Sequence, residues 1–272
     1  MTTAGALLRA CHPEPALAVT AIAAALAAGT GAPVLRVTAA FAAGQLTTGW
    51  SNDWIDRDRD VRTGRADKPV AQGRLSAGTL RTAAVLAAVA CVPLSLALGM
   101  RAGLAHLLAV GSALSYNAGL KSGPLSWLPY AVSFGLLPSV VVLAAPGGGF
   151  APAWATAAGA LLGVGAHLGN ALPDLEDDLA TGVRGLPHRL GRPRSTGLMA
   201  VLLLAATALL AYGPGPPGQY GLGAVALAAV LTATGIGLAR RPGSRAAFLA
   251  ALAVAVVDVA LLVARGAALS AG

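Results

Sequence analysis

Residues 52–74 read NDWIDRDRDVRTGRADKPVAQGR, and residues 170–192 read NALPDLEDDLATGVRGLPHRLGR. Set against each other with an offset of 118 residues, the two stretches agree at eight positions. Asn52, Asp56, Asp60, Thr63, Gly64, Pro69, Gly73 and Arg74 face Asn170, Asp174, Asp178, Thr181, Gly182, Pro187, Gly191 and Arg192. Asp58 also faces Glu176. The shared pattern is N-x-x-x-D-x-x-x-D, then T-G, P and G-R, the mark of a duplicated helix–loop unit. Nine of the eleven acidic residues lie in these two clusters: Asp53, Asp56, Asp58, Asp60 and Asp67, then Asp174, Glu176, Asp177 and Asp178. Glu14 and Asp258 are the other two.

Outward from the clusters the chain is apolar. It is 56% hydrophobic and 11% charged, with a mean hydropathy of +0.70, whereas soluble domains carry about a quarter charged residues. A membrane span needs roughly 20 mainly apolar residues. By that rule nine are expected, near 15–31, 33–52, 77–98, 102–119, 125–145, 152–172, 195–213, 219–239 and 246–264. Pro33, Pro124, Pro152, Pro193 and Pro242 fall at or near their ends, where a missing amide donor is tolerated. The expected fold is all-α, about nine transmembrane helices in one domain over residues 1–272.

Lys and Arg give an orientation. Sixteen of the nineteen fall on the side of the N-terminus and the even-numbered loops, leaving Arg36, Arg101 and Arg265 opposite. Cytoplasmic loops carry the positive excess, so both acidic clusters are expected at a cell membrane's cytoplasmic face. The net charge of +8 therefore belongs to orientation and an anionic ligand, and no nucleic-acid partner is expected. Met1 to Pro15 lacks a signal-peptide pattern, so the first apolar stretch is expected to be retained. Cys11 and Cys91 show no metal-ligand spacing and no disulfide framework. The abundance of Ala, Gly and Arg suggests a GC-rich bacterial genome.

The spacing of four carries the chemistry. On a helix, residues i, i+4 and i+8 line one face about 6 Å apart. Carboxylates so placed repel unless a cation lies between them. Two such faces converging could hold two or three divalent ions. Mg²⁺ suits them, because it takes carboxylate oxygens, retained waters and substrate phosphates rather than an all-protein cage. Neighbouring Arg and Lys would meet the remaining phosphate charge. The reaction that needs this arrangement is departure of a diphosphate, leaving an allylic cation to be kept from water. A cavity among membrane helices supplies that dryness and admits an isoprenoid tail from the lipid.

With NDWIDRDRD at 52–60, RADKP at 65–69, GRLS at 73–76, SYNAGLK at 115–121, DLEDDLATG at 174–182 and LPHRLG at 186–191, the chain resembles the UbiA-type intramembrane prenyltransferases. The resemblance runs over essentially the whole chain. It implies nine helices around a lateral cavity and Mg²⁺-dependent transfer of a prenyl group from a prenyl diphosphate to an acceptor. Carried over position by position, Asn52, Asp56, Asp60, Asp174 and Asp178 would hold magnesium, with Asp53 beside Asn52 a further candidate. The catalytic carboxylates would be Asp56, Asp60, Asp174 and Asp178. Arg65, Lys68 and Lys121 fall where the family places cationic diphosphate contacts, Tyr116 and Asn117 where its fourth span ends at the site, and Arg9 matches an N-terminal arginine facing the diphosphate. Lys68 departs from the pattern, since Arg is the commoner family choice before Pro69.

An aromatic or quinone-like acceptor is the expected partner. Two other readings stand beside transfer. A terpene cyclase of the same family would ionise the donor and fold the cation on itself, but cyclisation favours aromatic walls. Four Trp, four Tyr and four Phe are few for that purpose. A transporter or lipid-binding protein would also carry a repeat, yet Asp258 is the one charge deep in a span. Asp258 is a functional candidate as an intramembrane acid. His106 and His167 are expected to make interhelical hydrogen bonds, with His167 facing the cavity as the alternative, and His188 is expected to be structural.

Overall fold

The computed structural model describes residues 2–65, 68–239, 244–264 and 266–269. Asp67, Arg240, Arg241, Pro242 and Arg265, used in the sequence reading, lie outside these residues. A short α1 (Thr3–Ala10), capped by the Thr2 hydroxyl on the Gly5 amide, precedes α2 (Pro13–Thr30), α3 (Val34–Arg62), α4 (Ala77–Leu96) and α5 (Met100–Asn117). A 3₁₀ turn (Leu120–Ser122) leads to α6 (Leu128–Ala144) and α7 (Ala153–Ala171). Then come α8 (Leu175–Ala180), α9 (Leu186–Tyr212), α10 (Gly218–Leu238), α11 (Ala246–Ala264) and α12 (Gly266–Leu269). No strand occurs among the described residues.

Each of the nine expected spans has its helix: α2 to α7 and α9 to α11. Length and apolarity alone qualify α2, α4, α9 and α10 as membrane-crossing, while α6 is apolar but shorter. Successive helices pack side by side, and α11 closes the bundle against α2. Large apolar side chains such as Leu86, Val89, Leu108, Val201, Leu227 and Val230 face outward, while Ala23, Ala40, Ala158 and Ala206 fill the helix seams. That distribution suits lipid, where the solvent is as apolar as leucine and small residues let backbones approach. The chain is a multi-pass membrane protein.

Three local features place the polar end. First, α3 continues for 29 residues, about 43 Å at 1.5 Å per residue. A bilayer's hydrocarbon is about 30 Å thick, so the last turns of α3, from Asn52 to Arg62, project beyond it. Second, the copy at 170–178 is not the continuous helical face expected from its spacing. Pro173 has no amide to donate, so α7 stops at Ala171 and Asp174 starts α8 with non-helical backbone (φ −101°, ψ 10°). Third, α9 starts nine residues earlier than the 195 expected and kinks at Gly191 (φ 74°, ψ 165°).

The repeat is structural as well as sequential. Thr63 and Thr181 each bond the carbonyl four residues back, Arg59 and Asp177, at 3.0 Å. The Arg65 amide donates to the Asp60 carbonyl, and the Val183 amide to that of Asp178 (3.1 and 2.9 Å). Gly64 and Gly182 take φ of 64° and 88°, and Gly73 and Gly191 take 68° and 74°. That left-handed region is costly for any residue with a Cβ, which accounts for the two glycines that the copies share.

Candidate active site

Asp53, Asp56 and Asp60 lie on the inward side of the last turns of α3 and are buried, unlike the exposed Asp58. Asp58 pairs with Arg57 (3.2 Å), whose guanidinium lies over the Trp54 ring. Three contacts fix the rotation of α3. The Trp50 indole donates to the Leu7 carbonyl of α1 (2.9 Å). Gly49 packs against the Cys11 backbone, where a Cβ would come within 2.9 Å of the carbonyl carbon. Asn117, at the end of α5, accepts from the Asn52 side-chain amide (3.0 Å) and donates to the Thr48 carbonyl and Ser51 hydroxyl (both 2.9 Å). Both halves of the Asn117 amide are thus engaged with α3, and Asn52 keeps its own amide oxygen for another partner.

Cations meet these carboxylates. The Arg59 guanidinium is 3.0 Å from Asp56, 3.9 Å from Asp60 and 3.8 Å from Asp178, so one side chain spans both motifs. Lys121, in the turn after α5, pairs with Asp56. Arg65 reaches across to Asp174 at 3.0 Å. Lys68 sits on Asp53 at 2.6 Å, and His12 contacts both, at 2.8 Å from Asp53 and 3.0 Å from Lys68. Burial works to raise the Asp53 carboxyl, but His12 and Lys68 outweigh it and hold the group below the usual carboxylate range. At Asp60 burial wins and pushes the carboxyl up, with Lys68 opposing. Burial also pulls the Lys121 ammonium down, against the neighbouring Asp56.

The second motif completes the ring. Asp178 faces Arg59 and, at 3.2 Å, His188 of the first turn of α9. Glu176 points away into a two-pronged pair with Arg192 (3.0 and 2.8 Å), which holds its carboxyl low. The residues that gather are therefore Asn52, Asp56, Asp60, Asp174 and Asp178, with Arg59, Arg65 and Lys121 among them and the Asp53–His12–Lys68 group alongside. Arg9 does not join them; it is exposed in the last turn of α1 and makes no ion pair with a described residue.

A sequence profile described as the UbiA prenyltransferase family matches residues 16–253. The chain belongs to the UbiA prenyltransferase family. Among solved structures, a UbiA homolog from Archaeoglobus fulgidus bound to GPP and Mg²⁺ is similar, with a TM-score of 0.71 and 19% identity. That likeness covers 98% of this chain and 100% of that one. A UbiA homolog from Aeropyrum pernix K1 has a TM-score of 0.70 at 21% identity, covering 93% and 98%. A digeranylgeranylglyceryl phosphate synthase has a TM-score of 0.65 at 16% identity, covering 98% and 99%. No curated protein sequence matches.

Beneath its aspartates this UbiA-family chain carries a group of rings. Tyr116 meets Tyr130 and His167 edge-on, with centroids at 5.2 and 5.6 Å. Tyr130 lies 4.8 Å from His167 and stacks on Phe134 at 6.3 Å. His167 pairs through Nε2 with the buried Ser126 hydroxyl (3.0 Å), and its buried Nδ1 has no partner. Deeper still, a cavity of about 50 Å³ is lined by Gln45, Thr48, His106 and Phe134, among others. A second of about 40 Å³ shares Phe134 and Leu137 and includes Asp258. Asp258 is buried and neither carboxyl oxygen has a hydrogen-bond partner among the described residues. Thr207 stands beside it, but that hydroxyl donates to the Leu203 carbonyl at 3.1 Å. His106 bonds Ser95 of α4 (2.7 Å), an interhelical link of the kind expected.

Sequence reasoning passed over His12, Arg59 and the ring of Tyr130 and Phe134. Arg59 carried a signal, for it faces Asp177 across the repeat and is one of two cations, with Arg57, inside an acidic motif. His12 carried none, since only the fold brings it to a residue 41 positions away.

Proposed function

We propose that the chain ionises a prenyl diphosphate at the paired aspartate motifs and transfers the prenyl group to an aromatic or quinone-like acceptor, releasing diphosphate. The observation that carries this is the convergence of carboxylates from both motifs on one guanidinium, directly above an apolar, ring-lined interior. The donor set fits Mg²⁺: Asp56, Asp60, Asp174 and Asp178 offer hard oxygens, and the Asn52 carbonyl oxygen is left open by its bond to Asn117. Among the described residues no three acidic, histidine or cysteine side chains form a cage by themselves. Mg²⁺ keeps waters and binds partly through substrate phosphates, so it needs no such cage. The similar Archaeoglobus structure bound to GPP and Mg²⁺ supports the same assignment.

When bound, Mg²⁺ neutralises the charge that builds on the diphosphate as its carbon–oxygen bond breaks. Arg65, Lys68 and Lys121 supply fixed positive charge around the same phosphate oxygens. The faces and edges of Tyr116, Tyr130 and Phe134 lie under the motifs, where an allylic cation would form, and ring faces stabilise cations while excluding water. No serine or cysteine nucleophile is needed, because the protein acts as an electrostatic template. The positive excess of the motif loops supports a reaction on the cytoplasmic side.

The same rings favour a second reading, cyclisation without an acceptor. Few as the aromatics are, three of them gather at the site. The two readings separate with purified protein in lipid, Mg²⁺, and prenyl diphosphates of several lengths, with and without aromatic and quinone-like acceptors. Diphosphate release that depends on acceptor and yields a prenylated product supports transfer. Release without acceptor, giving a cyclic hydrocarbon or alcohol, supports cyclisation. No release from any donor removes both.

Asn117 acts through Asn52 in this scheme, as a positioning residue rather than the direct diphosphate contact expected from the sequence. Asn117→Ala is expected to weaken Mg²⁺ affinity about 10- to 100-fold, the usual effect of losing a ligand's outer partner. Titration of Mg²⁺ in a diphosphate-release assay checks it: the Mg²⁺ requirement should rise while release at saturating metal changes far less.

A further inference from the structure

Arg59 has no counterpart in the repeat, since the aligned position in the second copy is Asp177. Its side chain is about one-fifth exposed and turns inward to carboxylates of both motifs: Asp56 at 3.0 Å, Asp60 at 3.9 Å and Asp178 at 3.8 Å. A guanidinium does not lose its proton in proteins. In this arrangement a positive charge that no pH change removes therefore stands where the two motifs meet.

We infer that Arg59 is an internal counter-ion that competes with the divalent metal for Asp56, Asp60 and Asp178 and is handed to the diphosphate when the metal enters. This rests on the metal-dependent reading above. A divalent ion held by these oxygens would lie within a few ångström of the guanidinium, and like charges so close repel strongly in a half-buried site. The arginine must then swing away. Its long, planar fork suits a diphosphate oxygen pair. Three consequences follow. Arg59 holds the two motifs together before metal arrives. It lowers the affinity of the carboxylates for metal taken alone. It couples metal to diphosphate, because the ion that displaces it frees a phosphate ligand, and coupling between two ligands is reciprocal. Lys121 also pairs with Asp56 but reaches no carboxylate of the second motif, so it cannot substitute in the bridging role.

The test compares wild type with Arg59→Gln and Arg59→Lys in lipid nanodiscs. Mn²⁺ serves as a spectroscopic stand-in for the metal and inorganic pyrophosphate as the diphosphate probe. Arg59→Gln is expected to bind Mn²⁺ alone about five- to tenfold more tightly, within the usual range of site coupling. The boost that pyrophosphate gives to Mn²⁺ affinity should shrink by a similar factor. The melting temperature with chelator should fall and recover on adding metal, and Arg59→Lys should lie between. Equal or weaker Mn²⁺ binding by a folded Arg59→Gln protein would overturn the inference while leaving the metal-dependent reading intact. Failure of wild type itself to bind Mn²⁺ with pyrophosphate would overturn both.

Discussion

Alanine at Asp56 is expected to cut diphosphate release by about 10³-fold, the scale seen when one preorganised electrostatic group is removed from a catalytic site. Asp56 is the carboxylate on which the site turns: it receives Arg59 at 3.0 Å and Lys121 from a different turn, and it is buried. Its removal takes a proposed metal ligand and leaves two cations facing each other without their shared anion. Breaking a buried pair from one side costs about 3–5 kcal/mol, so folding needs its own control. Asp56→Asn keeps the volume and one acceptor oxygen, and should hold the melting temperature closer to wild type while releasing as little diphosphate as alanine does. Asp58→Ala is the second control. Asp58 is two residues away in the same acidic run but exposed and paired only with Arg57. Exposed pairs contribute about 0–1 kcal/mol, and release should change less than about twofold. If Asp56→Ala and Asp58→Ala behave alike, the inward side of α3 does not carry the chemistry.

The contrast between Asp56 and Asp58 also shows how much was legible beforehand. Along α3 the spacing of four identified the inward set because the backbone there is an uninterrupted helix, and period is all that such an argument needs. At 170–178 the same spacing pointed to two carboxylates that do approach the first copy, but not along one continuous helical face. Pro173 ends the helix, and Asp174 and Asp178 arrive by a short separate helix whose position depends on Arg65 and Arg59 from the first copy. Span positions were legible because the bilayer imposes length and apolarity on each helix independently. The partners of Asp53 were not. His12 lies in a left-handed backbone (φ 55°) between α1 and α2, and its approach to Asp53 is set by how α1 docks on Trp50 and Leu75. No local pattern encodes that. Asp258 is the reverse case, conspicuous in sequence as an acid among apolar residues, and without a hydrogen-bond partner among the described residues once folded.

Valine at Gly163 is expected to be the most damaging change away from the aspartates. Gly159, Gly163 and His167 recur every four residues on the side of α7 that meets α6. At Gly159 and Gly163 the two backbones touch. A Cβ at Gly163 would overlap the Tyr130 carbonyl and stand 2.8 Å from the Phe134 Cβ, and one at Gly159 would overlap the Phe134 carbonyl. Backbone cannot yield as a side-chain end can, so α6 and α7 must part. In a bilayer such close small-residue seams supply much of the association between helices. The cost should reach about 3 kcal/mol or more, at the upper end for overpacking. At about 2–4 °C per kcal/mol for a chain of this size, melting should fall by roughly 10 °C. Function should suffer beyond stability, because Tyr130 and Phe134 lie on the displaced stretch of α6 and Tyr130 meets His167 of the same seam. Separation of α6 from α7 would pull the ring wall from under the motifs while leaving the carboxylates on α3 in place. The expected signature is thus a fall in product formation at temperatures where the protein remains folded, with Mn²⁺ and pyrophosphate binding largely kept. Gly197→Ala supplies the comparison: no atom lies within 4 Å of a Cβ there, and alanine is worth up to about 1 kcal/mol over glycine in a helix. If Gly163→Val melts and turns over like Gly197→Ala, the α6–α7 seam is not as close as its backbone contacts indicate, and the rings are positioned by some other packing.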